Sequence, residues 1–84
     1  MQIAELEKIQ AAKVVDARGT ACPGPLLEAK KAIGTVPVGQ IIEVWSGDAS
    51  TKSDLPQWAA KVGHEYLGAI EADGYDRIFV LRGR

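Results

Sequence analysis

In two segments of the chain, hydrophobic positions recur three and four residues apart among polar ones, which predicts two long helices. The first carries an apolar stripe made of Leu26, Ala29 and Ile33, with polar residues largely on its other face. The two tryptophans, Trp45 and Trp58, are interpreted as core residues because each offers a large apolar area. The second helix has the clearest stripe in the chain, made of Leu55, Trp58, Ala59 and Val62.

Short apolar runs between turn residues predict four strands. The first contains Val14 and Val15 and is closed by the turn at 16–19. The second spans residues 40–46, with apolar positions on both of its faces. The last two flank Asp73-Gly74, a strong hairpin signal. The resulting β-α-β-α-β-β order predicts an α+β fold, a two-layer α/β sandwich with both helices on one face of a four-stranded mixed sheet.

Glycine, threonine and proline mark the expected ends of the helices. Gly34 is placed to end the first helix in the left-handed conformation, as Gly63 is for the second. Thr51 and Asp54 have the spacing of a capping box, whereas Pro56 is tolerated only in a first turn. These two signals place the start of the second helix one turn apart.

Residues 1–13 are predicted to form an N-terminal extension ahead of a single domain that spans 14–84. A chain of 84 residues is too short for two hydrophobic cores. In the extension, Ile3, Leu6 and Ile9 recur at a spacing of three. Such a short amphipathic helix is marginal unless it docks, so the segment is either a short helix or a frayed tail.

Composition and charge exclude several classes of protein. Hydrophobic residues make up 46% and charged residues 25%, which excludes a disordered polyelectrolyte. The net charge of −1 leaves no basic excess for nucleic acid, and no apolar run approaches the length of a membrane span. One cysteine and one histidine allow neither a disulfide framework nor a zinc cage. With Glu5 and Glu7 near the N-terminus instead of a secretory signal, we expect a cytoplasmic protein.

The distinctive chemistry lies at Cys22, which is followed by Pro23, Gly24 and Pro25. We interpret Cys22 as the N-cap of the first helix and the next three residues as its first turn. Both prolines are tolerated there, because the N–H groups of a first turn have no intrahelical acceptor. Because the two prolines have no N–H, the Gly24 backbone N–H is the hydrogen-bond donor expected close to the sulfur. The positive end of the helix favours the nucleophilic thiolate. Arg18, four residues upstream, can add positive charge.

A lone cysteine is most often a small buried hydrophobe. The small residues and prolines around Cys22 provide no bulky apolar cover, and this favours a reactive thiol. Without a second cysteine, a dithiol cycle is excluded, which leaves a carrier or a peroxide-sensing thiol. No catalytic base is indicated by the spacing, and His64 is interpreted as a surface or hinge residue.

The segment 15–25, in which a strand ends at Asp16 and Cys-Pro-Gly-Pro opens a helix, resembles the signature of the TusA (SirA-like) sulfur-carrier family. A second segment, 47–56, is similar to the family's stretch before its second helix. The family usually has proline where this chain has Ala49, a difference from which we expect only a local effect in the loop. Together the two matches extend the resemblance over about residues 14–82.

The resemblance implies a sulfurtransferase of the carrier type, in which Cys22 holds sulfane sulfur as a persulfide. No cofactor is implied other than that covalent sulfur. The implied partners are a donor protein, of the rhodanese or cysteine desulfurase type, and an acceptor protein that bears a cysteine. The pathway is either oxidative sulfur metabolism or the thiolation of tRNA or cofactors. We expect a monomer, because a carrier that moves between partners must leave its cysteine tip free. The alternative is a non-catalytic adaptor that uses the Cys-Pro-Gly-Pro tip only as a recognition surface.

Five further residues are candidates for partner binding, each with a simpler structural role. Lys30 and Lys31, on the exposed face of the first helix near its cysteine end, can steer an acidic partner or belong to an ordinary solvated face. Asp48, Thr51 and Asp54 can face a partner, but loop bonding and helix capping are the more frequent uses of these residue types.

Overall fold

The structure, a computed structural model, describes residues 3–20 and 24–84 and confirms the predicted β-α-β-α-β-β order. One short helix precedes this pattern. In chain order the elements are α1 (Ile3–Leu6), β1 (Lys13–Asp16), α2 (Gly24–Ile33), β2 (Ile41–Ser46), α3 (Thr51–Val62), β3 (Glu65–Glu71) and β4 (Asp76–Leu81).

The four strands form one mixed sheet in the order β1-β2-β4-β3. β1 runs parallel to β2, with Val15 opposite Val44, and β4 is antiparallel to both of its neighbours. The predicted hairpin joins β3 to β4 and is closed by a hydrogen bond of 2.8 Å from the Ala72 N–H to the Tyr75 carbonyl. Because β1 and β2 are parallel, both chain segments that leave them emerge at the same edge of the sheet.

The main core lies between the sheet and the two long helices, which cover one face as predicted. The strands contribute alternate residues to it, and the helices contribute their apolar stripes. Burial of each large aliphatic side chain stabilises the fold by about 1.5–3 kcal/mol. The core residues that are completely buried are Ala29, Ile42, Val44, Leu55, Ala59, Ile78 and Val80.

The second face of the sheet has a smaller core beneath α1. Leu6 is 1% exposed and packs with Ile70 and Phe79, and Ile9 lies partly buried against the same cluster. Leu6 and Ile9, two of the three residues in the predicted apolar spacing, therefore dock on the sheet, and their contacts offset the marginal stability of so short a helix.

The end of α2 differs from the prediction. Gly34 does not have a positive φ, so it is not a left-handed cap. Instead, Thr35 closes the last turn, since its N–H and its hydroxyl both donate to the Ala32 carbonyl, at 2.9 and 2.7 Å. Gly63 does end α3 as predicted, with φ of 90° and its N–H bonded to the Ala59 carbonyl.

The start of α3 also differs from the prediction. The helix begins at Thr51 and its N-cap is Ser50, which makes no side-chain capping bond, so the proposed capping box of Thr51 and Asp54 is wrong. Pro56 is the sixth helical residue and lies in the second turn instead of the first. At 12 residues α3 is the longest helix in 3–20 and 24–84, where no helix is long and apolar enough to cross a membrane.

Candidate functional site

The candidate site lies at the edge of the sheet where the segments after β1 and β2 run side by side. Their backbones approach so closely that a Cβ on Gly47 would stand 3.2 Å from the Arg18 carbonyl oxygen. A shallow depression of about 440 Å³ opens between them, lined by Arg18, Gly19, Thr20, Gly47, Asp48 and Ala49. Cys22 and Pro23 lie outside the described residues, and with them the predictions that they form the N-cap and first position of α2.

Arg18 is held by a carboxylate and two aromatic rings. Its Nε and Nη2 donate to the two carboxylate oxygens of Asp16 at 2.8 and 2.7 Å, a bidentate pair. Its guanidinium carbon also lies 4.9 Å from the ring centroids of both Trp45 and Tyr75, within the range of cation–π contacts. The side-chain hydrogen bond from Arg18 lowers the pKa of Asp16 and reciprocally raises the pKa of Arg18.

The backbone after β1 is fixed to the sheet as well. Ala17 is 2% exposed, and its N–H donates to the Trp45 carbonyl at 2.9 Å, which continues the β1–β2 pairing beyond the strand. The Thr20 N–H donates to the Ala17 carbonyl at 3.1 Å. Residues 17–20 therefore form a bonded turn that leads from the sheet towards Cys22 in the sequence.

The start of α2 packs directly on this turn. A Cβ on Gly24 would overlap Thr20 Cγ2 and would lie 3.0 Å from Thr20 Cβ, so glycine allows a close approach here. Pro25, in the first turn of α2, is almost completely buried. The described residues on both sides of the cysteine are thus in contact with each other or with the core.

Hydrogen bonds between the end of β2 and the start of α3 account for two of the candidate partner-binding residues. Asp48 Oδ1 accepts from the N–H and the hydroxyl of Ser50, at 2.9 and 2.7 Å, which is the loop-bonding role. Thr51 is 2% exposed, and its hydroxyl shares a hydrogen bond of 2.8 Å with that of Ser46. A partner-facing role for Thr51 is therefore wrong, because the side chain presents no surface.

The other three candidates lie on or between the helices. Lys30 and Lys31 are exposed, but they occupy the last turn of α2, about 9 Å along its axis from Gly24 and not near its cysteine end. Lys31 is 3.8 Å from the Glu28 carboxylate. Asp54, in the first turn of α3, lines a groove of about 270 Å³ between the helices together with Leu26, Lys30, Gln57, Trp58 and Lys61. The partner-binding roles of Lys30, Lys31 and Asp54 stay predictions.

Comparison with known proteins identifies the family. The family model described as "Sulfurtransferase TusA" matches residues 13–82, which includes both segments that resemble the family signature. The chain belongs to the TusA family. The predicted resemblance is thereby confirmed, and with it a general role as a sulfur carrier.

Individual relatives agree with this assignment. A protein of Archaeoglobus fulgidus named "Putative sulfur carrier protein" is 48% identical over 69 residues, which are 82% of this chain and 94% of that protein. The "Sulfur carrier protein TusA" of Pseudomonas entomophila is 35% identical and matches over 71% of this chain and 75% of its own length. The crystal structure of a SirA-like protein from Desulfitobacterium hafniense superposes with a TM-score of 0.75 at 26% identity, covering 86% of this chain and 99% of that one.

Sequence reasoning missed three residues at the site of this TusA-family chain. The sequence indicates Asp16 only as part of the family signature and Trp45 as a core residue, and it gives no prediction for Tyr75. Trp45 is half-buried on the second face of the sheet, where it contacts Arg18. The Asp-x-Arg spacing at a strand end was the available signal, since alternate residues of a strand face the same side.

His64 lies away from the site, beyond the C-terminal end of α3. Its ring packs on Trp58, with centroids 5.4 Å apart, and its Nδ1 accepts the Gly83 N–H at 3.1 Å. Burial, and then the charges of Arg82 and Arg84, lower its pKa. Within residues 3–20 and 24–84 no three His, Asp or Glu side chains are arranged to hold a metal ion.

Proposed function

We propose that this TusA-family protein is a cytoplasmic, monomeric persulfide carrier with Cys22 as its acceptor and donor of sulfane sulfur. Its partners are a donor protein of the rhodanese or cysteine desulfurase type and an acceptor protein with a reactive cysteine. The pathway is oxidative sulfur metabolism or the thiolation of tRNA or cofactors. Membership of a family of sulfur carriers, with Cys22 in the family's signature position, is the observation that carries the proposal.

The proposed transfer needs no external oxidant or reductant. The Cys22 thiolate attacks the terminal sulfur of the donor's persulfide, so that a new S–S bond forms on Cys22. The donor's S–S bond breaks, and its cysteine leaves as a thiolate. In the second half the acceptor's thiolate attacks the terminal sulfur on Cys22 in the same way, and Cys22 is released as a thiolate.

The surroundings of the cysteine support this chemistry. In the sequence Cys22 lies between Thr20 and Gly24, the two described residues that contact each other where β1 leads into α2. α2 is 10 residues long, so its N-terminus offers a positive dipole end and unpaired N–H groups to an anionic sulfur. The adjacent depression is shallow and open, which suits a partner protein that presents its own cysteine better than an enclosed small substrate.

Mass spectrometry of the intact protein tests the proposal. After incubation with thiosulfate or polysulfide, the wild type should gain about 32 Da, the mass of one sulfur atom, and lose it on reduction. With thiosulfate, sulfite leaves as the S–S bond forms on Cys22. The matched control is Cys22→Ser, which keeps the size of the side chain and should gain no mass.

The same variant separates the carrier from an adaptor. A carrier charged with sulfur should pass it to a reduced protein thiol, and Cys22→Ser should support no transfer. If the wild type gains no sulfur from thiosulfate, polysulfide or a persulfidated rhodanese, the carrier proposal is wrong. Unchanged downstream function of Cys22→Ser would instead favour an adaptor whose tip is only recognised.

A further inference from the structure

Resting on the proposed function, we propose that Arg18 is a positioning residue for the cysteine segment, residues 21–23. Its clamp, defined as Asp16, Arg18, Trp45 and Tyr75, fastens the turn at 17–20, which precedes that segment in the sequence, to the second face of the sheet. In this role Arg18 acts through the geometry of the turn at 17–20 instead of through its positive charge.

The contacts of Arg18 leave little of its charge unpaired. Two of its nitrogens donate to both oxygens of the Asp16 carboxylate, and the Arg18 backbone N–H donates to Asp16 Oδ1 at 3.2 Å. A cation this closely paired with a carboxylate contributes little net field at a third group several residues away. With side-chain exposures of 45% for Arg18 and 49% for Asp16, solvent screens the remainder further.

The clamp joins three separate parts of the chain. Asp16 ends β1, Trp45 belongs to β2, and Tyr75 lies in the hairpin between β3 and β4. The two rings have centroids 5.6 Å apart, and the planar guanidinium contacts both. Lysine cannot reproduce this arrangement, because an ammonium group offers neither a fork for a carboxylate nor a flat surface for two rings.

The clamp is placed to act on the cysteine segment through the backbone. Arg18 follows Ala17, whose N–H is bonded to β2, and it precedes Thr20, which contacts Gly24 at the start of α2. Only residues 21–23 lie between Thr20 and Gly24 in the sequence. Loosening the turn therefore changes the point from which the cysteine segment starts, while the helix that follows keeps its contacts with the core.

Two substitutions distinguish geometry from charge. Arg18→Lys keeps the charge but loses the bidentate pair and the stacking, whereas Arg18→Met keeps only an unbranched apolar stem. We would measure the rate of Cys22 alkylation by iodoacetamide against pH. If Arg18 acts by positioning, both variants should raise the midpoint of that profile by about 0.5 pH and slow alkylation at pH 7 about threefold. Changes of this size correspond to the loss of one favourable interaction between a thiolate and a helix N-terminus.

Substitutions of an aromatic ring in the clamp test the same role without changing any charged group. Tyr75→Leu should shift the alkylation profile in the same direction as Arg18→Lys, while Tyr75→Phe, its matched control, keeps the ring and should behave as the wild type. Hydrogen exchange at the Ala17 and Thr20 amides should accelerate in Arg18→Lys and Tyr75→Leu. Unfolding in urea, followed for each variant, ensures that alkylation is compared between folded proteins.

The outcomes are separable from those of the proposed function. If Arg18→Lys matches the wild type and only Arg18→Met is slow, charge is the operative property and the positioning role is wrong. It is equally wrong if neither variant nor Tyr75→Leu changes alkylation or exchange. Failure of the wild type to gain sulfur would overturn the carrier proposal alone, because the alkylation and exchange measurements require no sulfur donor.

Discussion

Gly24 is the residue at which a single methyl group should perturb the cysteine segment most. The position for its Cβ is already occupied by Thr20 Cγ2, and Thr20 Cβ would be only 3.0 Å away. The overlap with Cγ2 is the larger of the two, because the approach to Cβ requires a shift of only a few tenths of an ångström. Gly24→Ala must therefore push apart the turn at 17–20 and the start of α2.

The expected cost follows from two opposing effects. Overpacking by a methyl group costs about 1–3 kcal/mol where neighbours cannot relax. Alanine in place of glycine in a helix regains up to about 1 kcal/mol, and less at a helix end. We therefore expect Gly24→Ala to lower the free energy of unfolding by about 1 kcal/mol. Thr20→Ala removes Cγ2, so the double variant should recover most of this loss.

A double-mutant cycle measured by urea unfolding checks this reasoning. The four proteins are the wild type, Thr20→Ala, Gly24→Ala and the double variant, and the overlap should appear as a coupling free energy of about 1 kcal/mol. Gly19→Ala is the matched control, because a Cβ on Gly19 meets no atom within 4 Å and Gly19 has no positive φ. It adds a methyl group to the turn that contacts Gly24, without an overlap.

The reasoning is refuted if Gly24→Ala is as stable as Gly19→Ala, or if the two changes in the cycle are additive to within about 0.3 kcal/mol. Alkylation of Cys22 in the same four proteins connects stability to the site. Gly24→Ala should change the alkylation rate, and the double variant should restore it, because the displacement begins at the contact between Thr20 and Gly24.

Three further predictions concern the rest of the fold. Glu43→Ala removes the 5%-exposed acceptor of Arg77 and should cost about 1–3 kcal/mol in urea unfolding; Glu43→Gln keeps one acceptor oxygen and should cost less, so an equal loss would contradict the role of that acceptor. Since the pKa of His64 is lowered from 6.5, the unfolded chain protonates first, so stability should be full above pH 6.5 and fall as the pH drops below it. His64→Asn should flatten this slope between pH 7 and 5, and an unchanged slope would assign it to other groups. Leu6→Ala should cost about 2–4 kcal/mol, unlike the exposed control Glu5→Ala, and equal stabilities would mean that α1 does not dock.

Helical periodicity predicted α2 and α3 because their buried faces are continuous in the sequence. Leu55 and Ala59 are completely buried, and Trp58 packs on the same core. Val62, the last residue of that stripe, is 37% exposed at the C-terminal end of α3. The ends of the helices were less predictable, since Gly34 and Thr51 can each satisfy more than one local arrangement and the choice depends on their neighbours in space.

The order of the strands was not predicted, although one signal for it is present. The hairpin signal pairs β3 with β4 but does not say which of the two lies beside β2. Ile78, Phe79 and Val80 are consecutive and all completely buried, as expected of a strand covered on both faces. β3 instead contains the irregularity between Tyr66 and Gly68 and occupies the edge. The continuous apolar run thus indicates the interior position of β4.

At the site too, contacts between residues close in the sequence could be predicted, whereas contacts between distant segments could not. The pairing of Asp16 with Arg18 joins residues two apart at the end of one strand, so a sequence pattern can indicate it. The contacts of Arg18 with Trp45 and Tyr75 join segments that meet only through the β2–β4 pairing. Side-chain position at such a site follows from the completed sheet, which is why the role of Trp45 was misread as core packing.

On the second face of the sheet, next to the turn at 17–20, side chains of the clamp cover the strands where another helix could have packed. α1 covers the part of this face around Phe79, while the part nearer β1 carries two ion pairs, Asp16 with Arg18 and Glu43 with Arg77. Each arginine lies over an aromatic ring, so paired charges shield apolar surface that a helix would otherwise bury. Another helix there would lie beside the turn at 17–20 and narrow the approach to it. Paired side chains stabilise the same surface and leave residues 18–20 exposed.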